Sequence, residues 1–276
     1  PLAIEARKRG IDVLNDSELF LKLAPGKVIG LTGSAGKTTT TALLGEMGKQ
    51  SQQIPKMWIG GNIGYPLLND LDQMEADHLT VMELSSFQLE LMQQSTHVAG
   101  ILNITPNHLD RHGTMEVYIR AKARLLDHQS ENDIAVLGLD DPVTSHLKNH
   151  VQGECWWFSA SEMVDAGTCL NNGNFVYRDG GTEQVITAVS DLQIYGGHNI
   201  LNTLAACALA SVAGIEIDAQ VAAIRIFKGV PHRLELVSEI DGIRWINDSI
   251  ATAPERVVAA LHAIDKPILL LLGGRD

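Results

Sequence analysis

Short apolar runs alternate along this chain with longer stretches in which apolar positions recur every three or four residues. The runs predict buried strands at 27–32, 79–84, 98–104, 133–139 and 154–159, and the longer period predicts helices near 38–50, 87–94, 114–128 and 142–149. Strands alternating with helices imply an α/β fold with a mostly parallel central sheet flanked by helices. Shorter strands across 168–195, turning at Asn171–Asn174 and Asp179–Gly181, predict a small antiparallel addition. Helices follow over His198–Ala213 and Asp218–Phe227, and Gly229-Val230-Pro231 then breaks the pattern. A hairpin (Leu234–Glu239 and Ile243–Asn247, turning at Asp241-Gly242), a helix over Pro254–Ile264 and a strand over 267–272 read as the start of a second, Rossmann-like β/α domain.

Composition narrows the partners. At 276 residues and 45% hydrophobic content the chain can hold more than one domain with ample core. A net charge of −12 with no Lys/Arg cluster argues against nucleic acid and anionic membranes, so a bound phosphate needs a local site. Cys155, Cys169 and Cys207 are odd in number and lack metal-type spacing, which suits a reducing, cytoplasmic setting. The apolar run Ile268–Leu272 is far too short to span a bilayer. The chain opens at Pro1 and stops directly after a predicted buried strand, so a fragment cut at both ends is expected.

The candidate chemistry lies at strand ends. Gly33-Ser34-Ala35-Gly36-Lys37-Thr38-Thr39-Thr40 joins the first strand to the first helix, where glycine-rich backbone and a helix N-terminus present N–H groups to an anion. Lys37 then supplies a charge for the outer phosphates and Thr38 a hydroxyl for magnesium. Leu31 stands where the strict phosphate-loop pattern has glycine, so this is a shortened variant. Glu83 ends another buried strand, as either a magnesium ligand or a capping group. His108, Asp110 and His112 follow a third, as ligands, acid/base groups or solvated side chains.

On the helix 115–128, Met115, Tyr118, Ile119, Leu125 and Leu126 form one face and Glu116, Arg120, Arg124 and Asp127 the other. Lys122 falls within the apolar face. Either its stem packs while the ammonium escapes to water, or the amine points into a site of low polarity that depresses its pKa. Asn199 and Asn202 lie one turn apart at a helix start, where one of them is a possible cap. Arg233 is placed to reach a phosphate across a cleft, and Asp248 either holds a ribose hydroxyl or caps a turn.

These motifs together resemble the Mur ligases of peptidoglycan synthesis over nearly the whole chain. The resemblance rests on Thr32–Thr38, Gly60-Gly61-Asn62-Ile63-Gly64, Glu83–Glu90, Asn103–His112, Tyr118 to Lys122, His198-Asn199 with Asn202, Pro231–Glu235, Asn247-Asp248-Ser249 and Gly273–Asp276. Gly60–Gly64 and Ser85-Ser86-Phe87-Gln88-Leu89-Glu90 point more narrowly to the member that adds D-glutamate. The resemblance implies ATP-driven amide formation between UDP-N-acetylmuramoyl-L-alanine and D-glutamate through an acyl phosphate, by a cytoplasmic monomer.

It further implies roles for residues. Gly33, Ser34, Gly36, Lys37, Thr38 and Thr39 cradle ATP; Asn202 contacts adenine, and Arg233 and Asp248 reach the nucleotide from a closing domain. Two magnesium ions are implied, one held by Thr38 and Glu83, the other by His108 and a carbamylated Lys122. Lys37, His108 and Lys122 become the catalytic set, with Asn62 and Ser85 against the muramoyl substrate. Residues 1–26 then read as the tail of a uridine-nucleotide domain, 27–230 as the ATP-binding domain and 231–276 as the start of the last domain.

Three positions depart from the pattern: Ala35 replaces a common Asn, Asn107 a common acid, and Ile250 a Lys that helps hold the incoming carboxylate. The rival readings are a related ligase with another acceptor, such as a folylpolyglutamate synthase, and a nucleotide-binding fragment that no longer catalyses.

Overall fold

Val28, Ile29 and Leu31 are all buried, although neighbours in a strand point to opposite faces. Ile29 and Leu31 enter one core and Val28 the other, so the strand they build, β1 (Lys27–Thr32), is covered on both sides. The computed structural model describes residues 5–273 apart from positions 7, 12, 65, 252, 253, 263 and 265, which leaves Gly274-Arg275-Asp276 outside the described residues.

β1 lies within one nine-stranded sheet, joined by β2 (Met57–Gly61), β3 (Leu79–Glu83), β4 (Val98–Ile101), β5 (Ile134–Gly138), β6 (Glu154–Ser159), β7 (Gly167–Asn171), β8 (Asn174–Asp179) and β9 (Thr182–Ala188). The spatial order is β2-β3-β1-β4-β5-β6-β7-β8-β9, parallel through β7 and antiparallel for β8 and β9. The expected antiparallel addition is therefore an extension of the main sheet. One face carries α2 (Lys37–Gln50), α7 (Gly197–Ala213) and α8 (Ile217–Ile226), packed around Leu43, Leu44, Met47, Leu204 and Leu209. The other carries α1 (Asp16–Leu23), the short α3 (Ser86–Leu89) and α5 (Met115–Asp127), around Phe20, Met82, Tyr118 and Leu126.

Several elements differ from expectation. β2 was not foreseen, because it is a half-buried edge strand that ends in glycines. β4 ends at Ile101 and not at residue 104, since the chain beyond it turns to brace the loop after β1, with the Ser34 amide donating to the Asn103 carbonyl at 2.8 Å. The helix expected over 87–94 stops at Leu89. The Arg124 guanidinium takes up the carbonyls of Leu89 and Met92, at 3.0 Å and 2.5 Å, so Arg124 is half-buried and absent from the solvated face assigned to it. The fourth predicted helix divides into α6 (Pro142–His146) and a 3₁₀ turn over Leu147–His150.

Beyond the main sheet, β10 (Glu235–Ile240) and β11 (Ile243–Asn247) form the expected hairpin, followed by α9 (Pro254–His262). The strand expected over 267–272 does not form. Among the described residues no strand pairs with it, and Leu269, Leu271 and Leu272 are 89%, 80% and 74% exposed, as befits a buried-strand sequence without neighbours to cover it.

Candidate active site

β1 lies between β3 and β4: the chain leaves it for β2 on one side and later crosses from β3 to β4 on the other, so the strand order reverses at β1. The crevice beyond the strand ends at such a point is where open α/β sheets bind ligands. The loop Gly33–Gly36 fills that crevice. Gly36 has φ +85° and serves as N-cap of α2 without a side-chain cap bond, which leaves the first-turn N–H groups facing outward. A Cβ on Gly36 would collide with the side-chain oxygen of Asn202, so close packing adds to the left-handed backbone in favouring glycine.

The loop is braced by side chains from later strands. Asn103 Oδ1 accepts from the Ala35 amide at 3.0 Å, and its Nδ2 donates back to the Ala35 carbonyl at 3.2 Å. The Ser34 hydroxyl lies 2.9 Å from the Thr105 carbonyl and 3.0 Å from the Tyr118 hydroxyl. Asn103 and Tyr118 were not foreseen as loop supports, because periodicity placed Tyr118 only on an apolar face.

Two ammonium groups meet on one carbonyl oxygen. Lys37 Nζ and Lys122 Nζ each donate to the Gly33 carbonyl at 2.9 Å, and Lys122 also reaches Thr32 Oγ1 at 3.3 Å. Lys122 is 1% exposed, so its ammonium does not escape to water. Burial first, and then the Lys37 charge, push its pKa down to about 7, partly offset by Glu83. Near neutral pH a sizeable share of Lys122 is a free amine.

Glu83 ends β3 and is also buried. Its Oε1 accepts from Asn62 Nδ2 at 3.1 Å, while its Oε2 is buried without a hydrogen-bond partner. An unpaired buried carboxylate oxygen beside a phosphate loop is the donor a hard divalent cation takes, so these residues fit magnesium. Ser85 is committed differently: it caps α3, accepting from the Gln88 amide at 3.2 Å and bonding Gln88 Oε1 at 2.8 Å. His108 sits exposed at φ +53°, its pKa lowered by burial and then by Lys37 and Lys122, against the opposing pull of Asp110.

On the far wall, Arg233 and Asp248 flank His198, whose pKa falls through burial and then the Arg233 charge. Asp248 Oδ1 accepts from the Leu234 amide at 3.0 Å. Asn202 is buried within α7 and donates to Asn199 Oδ1 at 2.9 Å; Gly196 occupies the N-cap, so neither Asn caps the helix. One cleft of about 680 Å³ collects Ser34, Gly36, Lys37, Thr38, Thr39, Asn62, Glu83, Ser85, His108, Lys122, Asn202, Arg233 and Asp248. Gly33 is absent from that lining, its carbonyl being turned to the two lysines. Ile250 lines the same cleft.

Residues 31–210 match the model of the Mur ligase middle domain. The chain belongs to the Mur ligase family. It is 40% identical, over all 276 residues, to the UDP-N-acetylmuramoylalanine–D-glutamate ligases of Clostridium botulinum (strain Kyoto / Type A2) and Acetivibrio thermocellus, and it spans 59% of the length of each. Among solved structures it is similar to a MurF from Acinetobacter baumannii, with 25% identity and a TM-score of 0.69 over 88% of this chain and 55% of that one. A MurF ligase from Thermotoga maritima in complex with ADP shares the fold, with 24% identity and a TM-score of 0.66 over 90% of this chain and 58% of that one. The matched Mur ligase segment includes the phosphate loop, Glu83, His108, Lys122 and Asn202, whereas Arg233 and Asp248 lie beyond it.

Proposed function

We propose that this chain is the nucleotide-binding part of a cytoplasmic, monomeric Mur ligase that joins D-glutamate to UDP-N-acetylmuramoyl-L-alanine with ATP. The observation that carries the reading is the meeting of Lys37, Lys122 and the unpaired oxygen of Glu83 around one helix N-terminus. Residues 27–230 form the ATP-binding domain, residues 1–26 the tail of a uridine-nucleotide domain and residues 231–276 the start of the domain that closes over ATP. The identity to two named D-glutamate ligases supports the acceptor.

In this reading the L-alanyl carboxylate oxygen attacks the γ-phosphorus and ADP leaves. The D-glutamate amine then attacks the acyl carbon, phosphate departs and the amine loses a proton. Lys37 exchanges the Gly33 carbonyl for the outer phosphates, and Gly33 to Thr39 supply backbone and hydroxyl donors. Thr38 and Glu83 would hold one magnesium, and His108 and Lys122 a second. Magnesium, when bound, neutralises charge as a carboxylate nears a triphosphate.

Lys122 becomes an anionic ligand if its free amine attacks the carbon of CO2 and sheds a proton, giving a carbamate. Its depressed pKa supplies the unprotonated amine that this step requires. Asn62, held by Glu83, faces the muramoyl substrate with Ser85, Asn202 faces adenine, and Arg233 and Asp248 contact the nucleotide from the far wall. Since Ile250 carries no charge, a group other than residue 250 holds the D-glutamate carboxylate in this reading, and a different acceptor is the alternative.

The intact protein should release phosphate only when UDP-N-acetylmuramoyl-L-alanine and D-glutamate are both present. Equal turnover with L-lysine, or unchanged turnover in Lys37→Ala, would sink the assignment. For the carbamate, activity lost in Lys122→Ala should return in part with short carboxylic acids.

A further inference from the structure

His112 has a role that its position on the chain does not suggest. It ends α4 (Leu109–His112), and its side chain is fully buried although the loop before it is exposed. One ring nitrogen is hydrogen-bonded, Nε2 lying 2.9 Å from Ser86 Oγ, while Nδ1 lies 2.9 Å from Glu90 Oε1 but outside hydrogen-bond geometry. The Ser86 bond holds the ring at Nε2, and the neighbouring Glu90 carboxylate places a negative charge beside Nδ1.

The faces of the ring are occupied too. Phe87 stacks on His112 with centroids 5.0 Å apart and planes within 9°. Phe87 also meets His108 edge-on at 5.4 Å, and the Arg111 guanidinium lies over the Phe87 ring at 5.5 Å. His112 also packs on Tyr118 at 5.1 Å, the residue whose hydroxyl bonds Ser34 and whose ring lies 4.8 Å from Lys122 Nζ.

His108 needs such support. It is an exposed residue in left-handed backbone, and its ring makes no hydrogen bond among the described residues. We infer that His112 is a positioning residue: buried and held at Nε2 by Ser86, it sets the plane of Phe87, and Phe87 in turn sets the His108 ring in the cleft. The inference rests on the proposed ligase reading for the role of His108, but not for the stack itself.

The test uses His112→Gln, which keeps a polar side chain but loses the ring, together with Phe87→Ala and the double variant. In the intact enzyme each single variant should lower kcat about tenfold while leaving the KM for ATP unchanged. The double variant should be no worse than either alone, because both act through one contact. Additive losses, or full activity in His112→Gln, would overturn the inference. A second readout is independent of catalysis. The ring-carbon NMR signals of His108 should move in His112→Gln through the lost ring current of an aligned Phe87, with ADP binding and melting temperature kept near wild type as the check on folding. Unmoved His108 signals, or a kcat loss that merely follows a fall in folded fraction, would also overturn it. A wild-type enzyme that failed to join the two substrates would defeat the ligase reading and leave the NMR comparison to decide the stack.

Discussion

Lys122 concentrates the electrostatic cost of the site in one side chain. Unfolded, it titrates near 10.5; buried beside Lys37, it gives up its proton at about 7. Between those values the unfolded chain binds more protons than the folded one, so the folded form gains stability as pH rises through that window. In the nucleotide-free protein, denaturation should show stability rising by ~2 kcal/mol more between pH 7 and 9 in wild type than in Lys122→Met. A matching pH dependence in the two proteins would show that the amine is not buried against a like charge. Hydropathy alone marked Lys122 as anomalous on an apolar face, but could not separate a solvated ammonium from one held by Thr32 and Gly33, because periodicity says which face a residue is on and not what that face meets. His112 is the opposite case: nothing in its local sequence distinguished it from a solvated loop histidine.

At the scale of elements, the site depends on α2 beginning in one particular way. Gly36 combines left-handed backbone with a close approach to α7, so the end of β1, the start of α2 and the middle of α7 are fixed together. Gly36→Ala should destabilise the chain by at least ~1–2 kcal/mol from the backbone conformation alone, with the clash against Asn202 adding to it. It should also abolish nucleotide binding; calorimetry and thermal melts would show both, and normal ADP binding would contradict this account of the loop. Strand–loop–helix order was legible here because its signals are local: an apolar run, glycines, then Lys-Thr. The boundaries of β4 and α3 were not, since β4 ends where Asn103 turns to the loop and α3 ends where Arg124, 35 residues beyond Leu89, takes its carbonyl.

For the whole molecule, the phosphate loop, Glu83, Lys122, Arg233 and Asp248 line one cleft within these 276 residues. The chain itself should therefore bind magnesium–ADP, and Lys37→Ala should weaken that binding roughly 10- to 100-fold, the worth of one charge-assisted contact. Titration calorimetry measures both. The sequence by itself determined the parallel sheet, the phosphate loop and the set of polar groups at strand ends, because these follow from short-range periodicity and from turn chemistry. Only the tertiary structure decided that Lys122 shares a carbonyl with Lys37, that Glu83 keeps an unpaired oxygen and that His112 anchors the stack reaching His108. Those partners lie tens of residues apart, 90 between Thr32 and Lys122, and only the packing of helices against the sheet brings them within bonding distance.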